Sequence, residues 1–286
     1  MSFDDFEESD RLGHPINLYK FLTGPGEASV LRYTDHDVDY DVDEGGAPVI
    51  YSSVPIKRSV LEVTGTLDRA QLTITLPREA TIAELFRQGT PSYLISVFIF
   101  QTHVGDPDKE YIGIWSGRVV NCKFEGLEAV ITCDPIATAL RRPGLRRNWQ
   151  ISCPHALYGP QCRAPRIYES ALVDAVLNAN TIDIIPGLPL QRPPADYLNG
   201  TMQWDVGTTG RVAVRNILGI VNNAGVYQIN TLGGLEGLQP GDTIQILRGC
   251  RHDRAACLST HNNSVNYGGQ PWIPITNPVN STTLYI

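Results

Sequence analysis

Four cysteines carry the sharpest chemical signal in this chain of 286 residues. Cys153 and Cys162 form one close pair, and Cys250 and Cys257 another. Their spacings are C-x8-C and C-x6-C, with residues 163–249 between the pairs. These are not the C-x2-C knuckles of zinc ribbons, so spacing alone leaves three chemistries open: a zinc site, an iron–sulfur cluster or two disulfides. Arginines crowd the same text: Arg163 follows Cys162, Arg248 and Arg251 bracket Cys250, and Arg254 precedes Cys257. A four-thiolate zinc site and a [4Fe–4S]²⁺ core with four thiolates each carry about two negative charges, so this positive charge suits both. His155 and His252 stand beside the first cysteine of each pair as alternative ligands, although four thiolates already complete a site. Cys122 and Cys133 lie in alternating, strand-like text and read as small buried hydrophobes.

No other pattern carries chemistry. The ladder Asp35, Asp37, Asp39, Asp41, Asp43 has the density of a calcium loop. An EF-hand counted from Asp39, however, needs Gly at its sixth position and an acid at its twelfth, where the chain has Glu44 and Ile50. Acids at every second position read instead as one face of a strand, solvated or functionally acidic. Gly24-Pro25-Gly26 is a fragment of a phosphate loop with no clear strand before it, and reads as a turn. The chain holds no P-loop, HExxH or GxSxG motif, and His14, His36, His103 and His261 lack catalytic spacing. No catalytic residue is expected.

The elements that must position the cysteines are strands. Hydrophobic residues make up 42% of the chain, ample for a core, while 26 Gly and 20 Pro make it rich in turns. Short alternating runs predict strands over Ser29–Val42, Arg69–Leu76, Tyr111–Val120, Leu127–Cys133, Thr201–Val206, Arg211–Val221, Val226–Thr231 and Gly241–Leu247. Two short helices are expected, one opened by a capping box at Thr81–Glu84 and closed by Gly89, the other over Pro15–Leu22. The fold class is mainly β: two barrel- or sandwich-like domains joined at a four-cysteine metal site, with few short helices. The expected divisions are 1–150 for a first β domain, 151–165 for the first cysteine segment, 166–248 for a smaller β domain, and 249–286 for the second cysteine segment and an irregular arm. A compact β module brings its ends together, so both cysteine pairs can meet at one point.

Charge is unevenly spread. Residues 1–50 hold 12 acids against three bases, a balance of −9, so a net charge of −7 leaves the remainder at +2. The window Arg141–Arg166 carries six arginines and no acid. An acidic balance argues against a broad nucleic-acid surface. The apolar run Tyr93–Phe100 is too short to span a bilayer, and the acidic start MSFDDFEESD is unlike a signal peptide. Synthesis and folding in the cytosol are expected.

The strings RRNWQISCPHALYGPQCR, from Arg146 to Arg163, and GCRHDRAACLSTHNNSVNYGGQPWIP, from Gly249 to Pro274, resemble a family of phage tail-tip hub proteins. The family includes the hubs of long-tailed, non-contractile phages and gene transfer agents and the lambda-type tail-tip protein L. LRYTDHDVDYDV, SVPIKRSVLEVTGTLDRAQLTITLP, ELFRQGTPSYLISVFIF and WSGRV extend the resemblance over most of the chain. It implies a non-enzymatic structural virion protein with domains like those of tail tubes, assembled as a homo-oligomer, a trimer. A distal tail protein would lie above it and a central fibre or tip protein below, and genomic DNA would pass without sequence-specific binding. It also implies a [4Fe–4S] cluster, with zinc the alternative, on Cys153, Cys162, Cys250 and Cys257. The family's acidic residue and aromatic-rich run around the second pair are replaced here by Arg251-His252-Asp253-Arg254-Ala255-Ala256. The cluster is then expected to lock the 166–248 module to the first domain and order the arm after Leu258. An acidic 35–43 face would line the channel in such a ring. The competing expectations are a redox enzyme built on the same cluster, and a receptor- or polysaccharide-binding module using Trp204 and Trp272.

Overall fold

The computed structural model describes residues 3–9, 13–24, 27–45, 48–61, 71–87, 89–141, 144, 148–186, 190–207 and 211–274. Arg69, Ala70, Arg142, Arg146, Arg147, two residues of the Gly24–Gly26 turn and the arm beyond 274 lie outside them. The chain divides into one compact unit of Met1–Arg142 with Gly207–Arg211, and another of Pro143–Val206 with Val212–Ile286.

The first unit is a nine-stranded sheet. Its strands are β1 (Pro15–Leu22), β2 (Val30–Thr34), β3 (Tyr40–Asp43), β4 (Pro48–Ser53), β5 (Lys57–Arg58), β6 (Leu72–Pro77), β7 (Ser96–His103), β8 (Tyr111–Glu125) and β9 (Glu128–Pro135). They lie in the order β3-β4-β2-β1-β7-β8-β9-β6-β5. All recorded pairs are antiparallel except the parallel contact of β2 with β4. Among the described residues this sheet does not close on itself; of the two barrel- or sandwich-like domains expected, the second unit is the closed barrel.

Pro15–Leu22, expected as a helix, is the strand paired to both β2 and β7. Tyr19 and Phe21 enter one core with Ile74, Val97 and Ile131, while Ile16 and Leu18 enter another with Val42 and Tyr51. A strand buried on both faces loses the polar alternation that marks strands in sequence. Two short helices, α1 (Phe3–Glu7) and α2 (Thr81–Glu84), belong to this unit. The N-cap of α2 is Ala80 with no side-chain cap bond, so Thr81 is a helical residue and the capping box is not formed. Ile82 and Ala83 of α2 are fully buried in the first core, and Gly89 leaves with φ +119°.

The acid ladder is not one strand face, because the chain bends over residues 35–38. Asp35 accepts from the backbone N–H and side-chain amide of Asn17 at 2.7 and 2.6 Å, Asp39 accepts from Ser53 N–H at 2.7 Å, and Asp41 pairs with Lys109 at 2.6 Å. Several of these carboxylates hold turns and neighbouring strands. Next to them Glu44 accepts from Lys20 at 2.6 Å, Arg32 at 3.0 Å and the Tyr51 hydroxyl at 2.6 Å. Burial works to raise its pKa, but these three donors outweigh it and hold Glu44 at about 2, against an ordinary 4.5.

The second unit is a closed barrel. Its strands are β10 (Glu169–Asn178), β11 (Thr181–Pro186), β12 (Thr201–Val206), β13 (Arg211–Asn223), β14 (Val226–Leu232) and β15 (Thr243–Leu247), in the order β10-β11-β14-β13-β12-β15. β10 and β15 pair to close it, which removes the exposed edges of an open sheet. Ile182, Ile184, Met202, Trp204, Ile217, Ile229, Ile244 and Ile246 fill the interior from alternate positions. The predicted strands over 201–247 fall on β12, β13, β14 and β15, whereas β1, β4, β5, β7, β10 and β11 lie outside the predicted list. A third helix, α3 (Arg254–Ser259), is capped by Asp253, whose carboxylate accepts from Ala256 N–H at 2.5 Å.

Glu44 gives the first unit a pH dependence of known sign. A carboxylate with a depressed folded pKa contributes stability above its unfolded value and loses it as pH falls through the folded one. About 2 kcal/mol is expected to disappear as pH drops from about 4.5 to about 2. Denaturant unfolding followed across that window should show the loss, and Glu44→Gln should flatten it.

Candidate metal centre

The barrel brings the two cysteine pairs together. β10 begins at Glu169, shortly after Cys162, and β15 ends at Leu247, shortly before Cys250. These strands are antiparallel neighbours with Glu169 opposite Ile246, so the entry and exit of the barrel lie side by side. A buried ion pair fixes that junction: Arg248 meets Glu169 at 3.3 Å, and both are below 10% exposed. Glu169 also accepts from the Tyr197 hydroxyl at 2.7 Å and from Gln191 N–H at 3.1 Å, while Arg248 donates to the Gln191 side chain at 2.6 Å. Each buried charge therefore has several partners, the condition under which such a pair is tolerable. Beyond it Gly249 passes so close to Leu198 that a Cβ would stand 1.7 Å from its carbonyl oxygen. Only glycine fits there.

Cys153, Cys162, Cys250 and Cys257 line one cavity, together with His155, His252, His261 and Asn263. The cavity is narrow. All four sulfurs belong to the second unit. The six cysteines of the chain are free thiols. Among the described residues, no group of three or more His, Cys, Asp or Glu side chains is arranged to hold a metal ion.

The backbone knits the two pairs. Cys153 N–H donates to the His252 carbonyl at 2.7 Å, and the His252 ring returns a contact to the Cys153 carbonyl at 2.9 Å. Asn263 N–H donates to the Cys257 carbonyl at 3.0 Å. Three sulfurs also receive N–H groups: Cys250 from His252 at 3.3 Å, Cys153 from Gly268 at 3.4 Å, and Cys162 from the Asn263 amide at 3.7 Å. Donors of this kind favour the thiolate over the thiol. Of the seven described non-glycine residues with left-handed backbone, four surround the site: Tyr158, Arg163, His252 and Asn262. Such conformations cost free energy and persist where the surroundings over-determine them.

Burial pushes the Cys257 thiol up to about 11, and the neighbouring sulfurs of Cys250, Cys153 and Cys162 add to the rise. Burial also raises Cys250, aided by Cys162 and Cys153 and opposed by the N–H of His252. Cys250 and Cys257 thus resist ionising beside the other sulfurs, and a cation or cationic core at the site would offset that resistance. The donor set fits a zinc ion or an iron–sulfur cluster in chemistry, four soft thiolates being competent for either.

The arginines that crowd the cysteines in sequence have other partners. Arg248 is held by Glu169, Arg251 by Asp253 at 3.2 Å, Arg163 by the Pro160 carbonyl at 3.1 Å, and Arg254 lies over the Trp272 ring at 5.9 Å. His155 contacts the Asn266 carbonyl at 3.0 Å and His261 the Gly249 carbonyl at 2.8 Å, the latter with its pKa lowered chiefly by burial. Asn263, Gly268 and His261 escape a reading by spacing, because loop asparagines and glycines carry no ligand pattern. Cys133 is fully buried in the core of the first unit and Cys122 packs against it, with thiols pushed by burial to about 12 and about 11. Trp204 is a correction: its ring is buried inside the barrel and its N–H donates to the Glu236 carbonyl at 2.9 Å. Trp272 is instead joined by Trp149, both about 80% exposed, along a groove of about 410 Å³ with Gln270, Ile273 and Pro274.

Comparison with known proteins was made against this geometry. A family described as baseplate hub protein, N-terminal attachment domain, matches residues 18–165, which is 148 of 286 positions. A second, described as phage conserved hypothetical protein BR0599, matches residues 196–277. An uncharacterized protein of Xylella fastidiosa (strain 9a5c) is 27% identical over 174 residues, covering 57% of this chain and 35% of that protein. The chain thus matches about a third of that relative's length. Among solved structures, a chain from the virion of a native gene transfer agent particle superposes with a TM-score of 0.74 at 17% identity, covering 99% of this chain and 98% of that one. The two share a fold.

Gly268→Ala tests how tightly the site is built. The added Cβ would lie 2.4 Å from Nε2 of His155, a buried ring held by Asn266, so the loop carrying the N–H to Cys153 must move. A loss of about 1–3 kcal/mol is expected. Cys153 should also react faster with a thiol reagent, read residue by residue by mass spectrometry. Gly144→Ala, where a Cβ meets nothing within 4 Å, should leave both unchanged.

Proposed function

This chain belongs to the family of baseplate hub proteins with an N-terminal attachment domain, and from that premise we propose that it is a structural hub at the tail tip of a long-tailed, non-contractile phage or gene transfer agent. In this reading three copies form a ring below a distal tail protein and above a central fibre or tip protein. Genomic DNA leaves through the ring without sequence-specific contact. The role is structural, and assembly takes place in the host cytoplasm before the virion is released. No described helix is long and apolar enough to cross a membrane. The region matched by the attachment domain contains an apolar cavity of about 450 Å³, lined by Phe98, Phe100, Trp115 and Ile136 among others, which suits attachment to another virion protein.

The observation that carries the reading is the convergence of Cys153, Cys162, Cys250 and Cys257 on one cavity in a chain of this family. We assign them as ligands of a [4Fe–4S] cluster, with zinc the competing occupant. When bound, the group would supply a rigid four-point link among segments that also share hydrogen bonds and the edge-on contact of Tyr158 with His261. The protein's own part is to hold the sulfurs at the junction of β10 and β15, to give three of them N–H donors, and to bury two of the four. The link then lies inside the second unit and steadies the loops on either side of the barrel.

A second reading rests on Trp149 and Trp272. Two exposed indoles on one groove can stack on sugar rings, and a receptor- or polysaccharide-binding role would use them. Binding of host surface polysaccharide that is lost in Trp149→Ala would favour it.

Iron, acid-labile sulfide and zinc content of protein purified without oxygen tests the principal reading. About four irons and four sulfides per chain are expected, with a visible absorption band that Cys250→Ser abolishes. About one zinc per chain would keep the link and change its chemistry. Neither metal, with the thiols oxidised in pairs, would overturn the metal assignment. Cys250→Ser should also expose the segments around residues 150–166 and 249–274 to protease, and mass measurement of the intact assembly should give three chains.

A further inference from the structure

Two of the four sulfurs, Cys162 and Cys257, come from opposite pairs and are nine-tenths buried. One residue touches both. Asn263 donates its backbone N–H to the Cys257 carbonyl at 3.0 Å, and its own carbonyl accepts from the Cys257 thiol at 3.2 Å. Its side-chain amide donates to the Cys162 carbonyl at 2.6 Å and points a hydrogen at the Cys162 sulfur at 3.7 Å. The side chain is itself buried, so these contacts form away from competing water.

We propose that Asn263 is the positioning residue of the four-sulfur centre, setting the distance between the two cysteine pairs and supplying the side-chain donor to a ligand sulfur. The proposal rests on the metal reading above and goes beyond it by naming a residue that is not a ligand. The orientation of the amide follows from its partners. The Cys162 carbonyl can only accept, so the atom facing it must be the NH₂ group. The amide oxygen then faces away and accepts from the Asn266 side chain at 2.7 Å. Asn266 in turn offers its carbonyl to the His155 ring at 3.0 Å, and His155 lines the same cavity. The chain Asn263–Asn266–His155 thus returns to the site it leaves, and locks the amide from behind.

The chemistry of the two other donors explains why this one matters. Cys153 and Cys250 receive their donors from the backbone, at Gly268 and His252. Cys162 receives its donor from a side chain, the Asn263 amide, which adds to the Cys153–His252 backbone contacts a second tie between the pairs, at the buried sulfurs. Asp at position 263 keeps the size and shape. It replaces the donor with a second acceptor facing both the Cys162 carbonyl and its sulfur, and adds negative charge where four thiolates already repel.

The test compares full-length wild type, Asn263→Asp, Asn263→Ala and Asn266→Ala, each purified without oxygen and checked by circular dichroism for an unchanged β spectrum. The readout is the rate at which bound iron or zinc passes to a chelator, followed by absorbance. Outer-shell partners of metal ligands are typically worth 10–100-fold in metal affinity. Both Asn263 variants should lose metal at least tenfold faster than wild type, with Asn263→Asp the faster, and Asn266→Ala in between. With an iron–sulfur cluster, Asn263→Ala should also lower the midpoint potential, because a hydrogen bond to sulfur stabilises the reduced, more negative state. Folded Asn263 variants that keep their metal at the wild-type rate overturn the proposal and leave the metal reading standing. Wild-type protein that carries no metal and takes up none overturns both.

Discussion

Four sulfur atoms placed around one small cavity repel one another once ionised, and the second unit is arranged around that repulsion. Burial alone would keep the thiols of Cys250 and Cys257 protonated, and each neighbouring sulfur strengthens the effect. The structure answers with N–H groups on three sulfurs, left-handed backbone at Tyr158, Arg163, His252 and Asn262, and a closed barrel whose two ends emerge together. Each feature is costly or unremarkable by itself. Together they gather four sulfurs from positions more than 80 residues apart in the chain.

The barrel is what makes that separation unimportant. Pairing the first strand with the last sets Glu169 beside Ile246, and the Glu169–Arg248 ion pair then holds the exit strand at the entry point. A buried pair of this kind contributes little net stability but enforces one arrangement, because any alternative leaves a charge without a partner. Its effect is on register: Cys250 follows Arg248 by two residues, so a slip of the strand end would move the sulfur out of the cavity.

The first unit is built differently. Its β1 strand is covered on both faces, which requires two separate apolar clusters, and its carboxylates are spent on turns and cross-strand ties. An apolar hollow near Phe98 and Trp115 is left over in the region the hub family uses for attachment.

The residues themselves determined the mainly β character, most strands of the barrel and the buried roles of Cys122 and Cys133. Those features depend on side-chain chemistry and on alternation along a few residues, which are written locally. The strand at Pro15–Leu22 was not legible because burial on both faces erases alternation, and the bend at residues 35–38 hid within an unbroken acidic repeat. The arginines beside the cysteines looked like compensating charge, yet each has another partner in space. Asn263 looked like one more loop asparagine. Only the tertiary structure decided that both cysteine pairs meet inside the second unit and that Asn263 joins them, because contacts between residues far apart in the chain arise from strand pairing and packing, and neither has a period that a sequence displays.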